Sequence, residues 1–169
     1  MPRVDSLPSP ESTTPADIGS AASPPISPRA EVSAGSPDEN SHDTAEIGGI
    51  SPSFVVRNLP SALAFYRDRL GFEITFEGPQ NDPFFGIVER GRAMIMLKDV
   101  GADPLLNHKQ EPMARWDAYV YVPDPDALAA EFASRNVEFS EPLKDTNDGL
   151  RGFELKDADG YVLFFGRPR

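Results

Sequence analysis

The chain has 169 residues, a net charge of −11 and no cysteine, which leaves room for about one domain of ordinary size and excludes disulfides, thiolate metal sites and a cysteine nucleophile. The acidic balance argues against nucleic acid, which needs clustered Lys and Arg to meet its phosphates, and it permits a cationic ligand. No apolar run approaches the ~20 residues of a membrane span and the N-terminus lacks the basic and apolar regions of a signal peptide, so a cytoplasmic protein without a membrane partner is expected.

The first 48 residues hold none of the 11 Phe, 4 Tyr and 1 Trp, but 8 of the 18 prolines and 9 serines, and they carry a net charge of −6. So little apolar area cannot offset chain entropy, and residues 1–48 are expected to form a disordered tail ahead of a folded domain at 49–169. After the Gly48 and Gly49 pair, the alternation in "SPSFVVRN" (51–58) predicts a strand. In "LPSALAFYRDRLGF" (59–72), Leu59, Ala62, Leu63, Tyr66 and Leu70 recur at helical spacing and Gly71 stops the pattern, so a helix follows. "FEITFE" (72–77), "FFGIVE" (84–89) and "AMIMLKD" (93–99) read as three strands, and "LLNHKQEPMAR" (105–115) as a polar connecting loop containing His108.

The same order then returns. "DAYVYVPD" (117–124) is a strand, "PDALAAEFASRN" (125–136) a helix, and "VEFSEPL" (137–143), "RGFELKD" (151–157) and "YVLFFG" (161–166) three more strands. An offset of 65 residues sets Phe54 on Tyr119 and Pro60 on Pro125. Two βαβββ modules of this length indicate a duplicated α+β domain, its halves pairing into a curved mixed sheet with the helices outside. A concave sheet face of that kind holds ligands. "DTNDG" (145–149) and "DADG" (157–160) do not continue to the Glu of a calcium loop and read as turns.

"NLPSALAFYRDRLGFE", "DPDALAAEFASRNV" and "FELKDADGYVLFF" together resemble the vicinal oxygen chelate superfamily, which includes glyoxalases, extradiol dioxygenases, fosfomycin resistance enzymes and bleomycin resistance proteins. The resemblance spans residues 50–166 and implies the glyoxalase-like fold. In the metal-using members it implies a His, a second His and a Glu as ligands; the matching positions here are Ser51, Asp117 (or Trp116) and Phe164, with Met94 or Met96 where some members keep a further Glu. Only Asp117 among these suits a hard cation, so no metal and no other cofactor is expected.

If the ligand positions that the resemblance implies face the cavity, two-residue periodicity puts Ser51, Ser53 and Val55 there from one strand, and Asp117, Tyr119 and Tyr121 from another, joined by Val162 and Phe164. Aromatic walls with one carboxylate suit a cationic ligand carrying flat rings. The branch that the chain most resembles, the bleomycin resistance proteins, implies a homodimer that sequesters such a ligand without turning it over. The expected ligand-binding set is Ser51, Ser53, Trp116, Asp117, Tyr119, Tyr121 and Phe164, with no catalytic residue. The alternative is a divalent-metal glyoxalase-like or dioxygenase-like enzyme with a rearranged site, built from Asp117 and carboxylates such as Glu154 or Glu89.

Overall fold

The computed structural model describes residues 47–169. The tail expected over residues 1–48 falls outside these apart from its last two positions, which are exposed and without regular structure.

The first module runs β1 (Ser53–Val55), α1 (Leu59–Ala64), β2 (Glu73–Gly78), β3 (Phe85–Arg90) and β4 (Ala93–Lys98). The second runs β5 (Ala118–Tyr121), α3 (Pro125–Ser134), β6 (Phe139–Asp145), β7 (Leu150–Lys156) and β8 (Val162–Pro168), after a single-turn helix α2 (Asn107–Gln110) in the connecting segment. Both long helices start in the same way. Asn58 and Asp124 each accept a hydrogen bond from the backbone N–H three residues on, at 2.9 and 3.0 Å, and a proline stands in the first turn where no donor is needed.

The expected first helix is longer than α1 because it continues as a π-helical stretch, Phe65–Arg69, with Leu70 N–H donating to the Phe65 carbonyl. The wider turn keeps Tyr66 and Leu70 both fully buried before Gly71 ends the element.

The α+β class and the two βαβββ modules stand as expected. The eight strands divide into two four-stranded mixed sheets, in the orders β1-β4-β3-β2 and β5-β8-β7-β6, each with one parallel pair. The expected pairing of the halves is made by side chains and not by a shared strand ladder. One core takes Phe54, Leu59, Leu63, Tyr66, Val88, Ile95 and Leu97 from the first module and Phe132, Phe153, Leu155, Leu163 and Phe165 from the second.

The joint between modules lies at the "DADG" turn. Asp157 Oδ1 accepts from the backbone N–H groups of Asp159, Gly160 and Tyr161, at 2.9–3.0 Å, which closes the turn; Gly160 takes the left-handed φ of 97° that the closure requires. Its other oxygen accepts from the Tyr66 hydroxyl at 2.8 Å, and Asp159 accepts from Arg57 N–H at 2.9 Å. Tyr161 stacks on Phe54 with ring centroids 4.1 Å apart and donates to the Val55 carbonyl.

Candidate functional site

The faces of the two sheets turned away from that core differ in chemistry. On the second sheet, register sets Tyr119, Phe164, Glu154 and Glu141 in one lateral row, and Tyr121, Gly166, Gly152 and Lys144 in the next. The pair of glycines matters. A Cβ at Gly152 or at Gly166 would meet the ring of Phe164, so that ring lies down over both and takes the space side chains would fill.

Trp116 stacks on Phe164 with centroids 4.3 Å apart and an interplanar angle of 24°, and Tyr119 stacks at 5.4 Å and 27°. Phe164 is thereby 2% exposed, a floor and not a contact surface, whereas Tyr119 is 42% and Tyr121 64% exposed. Burial of the Tyr119 phenol raises its pKa, with a smaller push from Tyr121. Its hydroxyl donates to the Gly166 carbonyl at 3.1 Å, which orients the ring over the sheet.

Glu154 is the buried acid of this face, beside the more exposed Glu141. Each Glu154 oxygen has one donor: Oε1 accepts from Trp116 Nε1–H at 2.8 Å and Oε2 from Arg115 Nε–H at 2.5 Å. The first of these bonds fixes the indole edge while Phe164 fixes its face. Beside them opens a cavity of about 410 Å3 lined by Arg115, Glu141, Lys144, Asp145, Thr146, Asn147 and Glu154. Lys144 donates to Glu141 at 2.6 Å, which lowers the Glu141 pKa, and Arg151 donates to Asp145 at 2.9 Å from outside the cavity.

The sequence-predicted residues therefore divide. Trp116, Tyr119 and Phe164 form one stack, and Tyr121 stands in the next row of the same face. Asp117 does not face the cavity with a free carboxylate: Oδ1 accepts from Asn107 N–H at 3.0 Å and Oδ2 from Val162 N–H at 2.7 Å, so it ties the connecting segment to the sheet. Ser53 belongs to the other sheet, where Ser53, Met96, Ile87 and Phe76 share a row, Ser51 precedes β1 without regular structure, and neither serine lines the cavity. The apolar neighbours of Ser53 on that face are half-buried.

The positions that the sequence resemblance matches to metal ligands do not fit a hard divalent cation here. Ser51, Met94 or Met96, and Phe164 supply no carboxylate or imidazole, and Asp117 has both oxygens engaged by backbone donors. Glu89 accepts from the Thr75 hydroxyl at 3.1 Å on the first sheet. Among the described residues no three His, Cys, Asp or Glu side chains are grouped to hold an ion, His108 included.

Sequence reasoning misses Arg115 and gives Glu154 only a metal-binding role. The signal for Glu154 is its place between Phe153 and Leu155 in "GFELK": alternation puts it opposite the core, on the face of Phe164. Nothing in the sequence signals Arg115, whose partner lies 39 residues away.

The family model described as "Glyoxalase/Bleomycin resistance protein/Dioxygenase superfamily" matches residues 48–165. The chain belongs to this superfamily. Among solved structures, a bleomycin-binding protein from bleomycin-producing Streptomyces verticillus, complexed with copper(II)-bleomycin, is similar at 24% identity and a TM-score of 0.55, over 75% of this chain and 100% of that one. An antibiotic binding protein from Streptomyces sp. CB03234 is similar at 19% identity and a TM-score of 0.54, over 76% and 100%. A lactoylglutathione lyase from Agrobacterium tumefaciens follows at 18% and 0.52, over 74% and 95%. Identities this low carry the fold and no more. A search of the curated proteins finds no match. Among the described residues no helix is long and apolar enough to cross a membrane.

Proposed function

We propose that the chain is a cytoplasmic, metal-independent binding protein that sequesters a small cationic aromatic compound as a homodimer, without catalysis. The observation that carries this is the Trp116, Phe164 and Tyr119 stack laid over Gly152 and Gly166 beside the carboxylate of Glu154. Flat rings gain from a rigid, preorganised aromatic surface, and a cation gains from an adjacent buried carboxylate. Trp116, Tyr119 and Tyr121 are the contact rings and Phe164 their support. Glu154 takes the charge role that spacing assigns to Asp117. Ser53 on the first sheet of a second copy, with Ser51 just ahead of it, completes the site, and the half-buried apolar face of that sheet supports self-association.

The test uses the single tryptophan. Bleomycin, the ligand named for one structural neighbour, is titrated into dialysed protein with a chelator present, and Trp116 fluorescence is followed. Saturable quenching at one drug per subunit supports the reading. A response that requires added divalent metal would overturn metal independence and favour the enzyme alternative, and no response in either condition removes this ligand class.

A further inference from the structure

Glu154 cannot serve a ligand's cation while Arg115 holds it. Its side chain is 9% exposed, Trp116 occupies one oxygen, and Arg115 is its only cationic partner among the described residues. Arg115 itself is held by a single prong. It comes from the irregular stretch between α2 and β5, its side chain is 43% exposed, and it reaches Glu154 through Nε alone, not through the two-pronged grip that makes Arg–carboxylate pairs strong. Its Nη2 lies 3.9 Å from Glu141 Oε1.

Resting on the reading just given, we infer that Arg115 is a resident counter-ion, which a bound cation displaces from Glu154 and which thereby sets how tightly the site holds positive charge. A buried carboxylate needs a partner at all times, so protein and ligand cations compete for one oxygen. Displacement is cheap for Arg115, because a half-exposed guanidinium is solvated when it swings out and Glu141 offers a second partner. An anion entering to meet Arg115 would instead face Glu141, Asp145 and Glu154 in the same cavity, three carboxylates against two cations. The displaced pair also specifies the ligand's shape. A planar amidinium or guanidinium conjugated to a ring can bond Glu154 while its ring lies against the Trp116 and Tyr119 stack.

The test follows the indole N–H resonance of the one tryptophan in a 15N–1H correlation spectrum, since that proton is the one bonded to Glu154. The probes are 2-naphthamidine, neutral 2-naphthamide and anionic 2-naphthoate, which share a ring. Arg115→Gln is expected to raise the amidine-to-amide affinity ratio at least about tenfold, the worth of one charge-assisted hydrogen bond no longer contested. Glu154→Gln, which keeps an acceptor for Trp116, is expected to bring that ratio close to one. Peak dispersion in the same spectra shows that each variant is folded. A ratio unchanged or lowered in Arg115→Gln overturns the inference, as does tightest binding of naphthoate by the wild type with loss in Arg115→Gln. If amide and amidine bind without that ratio change, the aromatic site survives and only the counter-ion role falls; if no probe moves the resonance, both fall together.

Discussion

Phe164 shows how one side chain can decide what a sheet face offers. Its ring covers two glycines that face each other across β7 and β8, and it is in turn covered by Trp116 and Tyr119. Filling that space from below has a definite cost. Gly152→Ala would drive a methyl into the Phe164 ring and the β8 backbone, and is expected to destabilise the fold by about 1–3 kcal/mol in urea denaturation, as overpacking does, with a changed Trp116 emission because the stack must lift. Trp116→Ala and Tyr119→Ala remove ligand contacts instead, and each is expected to weaken aromatic binding by ~1–3 kcal/mol by titration calorimetry. The aromatic positions are legible in the sequence because alternation fixes which side of a strand a residue faces. Their vertical order is not, since it follows from two glycines brought opposite each other by a register that no single strand encodes. The same limit explains Asp117: spacing places it correctly at the start of β5, while its use as a double backbone acceptor depends on where the connecting segment returns.

At the scale of elements, the Asp-x-Asp-Gly turn between β7 and β8 does more than reverse the chain. Both carboxylates reach the first module, Asp157 to Tyr66 and Asp159 to Arg57, so the turn is also the joint. The sequence identifies the turn from Gly160 and its flanking acids, but gives no sign of partners 91 and 102 residues away. Burial pushes the Asp157 carboxyl up to about 6 against the hydrogen bonds it accepts from Tyr66, Tyr161 and Asp159, which favour its charged form. A carboxyl whose folded pKa exceeds its unfolded value, here 3.8, favours folding most in acid, and that contribution is lost as pH rises through the folded pKa. Between pH 4.5 and 7 the loss amounts to about 2 kcal/mol. Asp157→Asn mimics the protonated form and should lack this dependence. Urea denaturation of both proteins is expected to show wild-type stability falling relative to the variant as pH rises over that interval, and the opposite trend would place the carboxyl's pKa below its unfolded value.

For the molecule as a whole, the two sheets present unlike outer faces, one aromatic and acidic, the other apolar. The duplicated modules are legible because each repeats the same periodicities, and their α+β class follows from element order. How two sheets share a core, and which faces stay open, depends on contacts between modules that periodicity does not contain. On the first sheet, Ser53, Met96, Ile87 and Phe76 form a row across all four strands, with Met94 and Phe85 on the same side, and these apolar side chains are only half-buried. Monomeric proteins seldom leave such a continuous apolar face in water, and a homodimer that sets it against the aromatic face of a second copy would cover it while bringing Ser51 and Ser53 to the stack. Met96→Asp puts a charge in the middle of that row on the side away from the core. The wild type is expected to sediment at twice the 18.4 kDa chain mass at low micromolar concentration, and the variant at the single-chain mass with its circular dichroism unchanged. If the two-copy site is correct, the variant loses ligand affinity along with its partner. A wild-type monomer that still binds would confine the site to the second sheet, and a dimer that survives Met96→Asp would move the contact to another face.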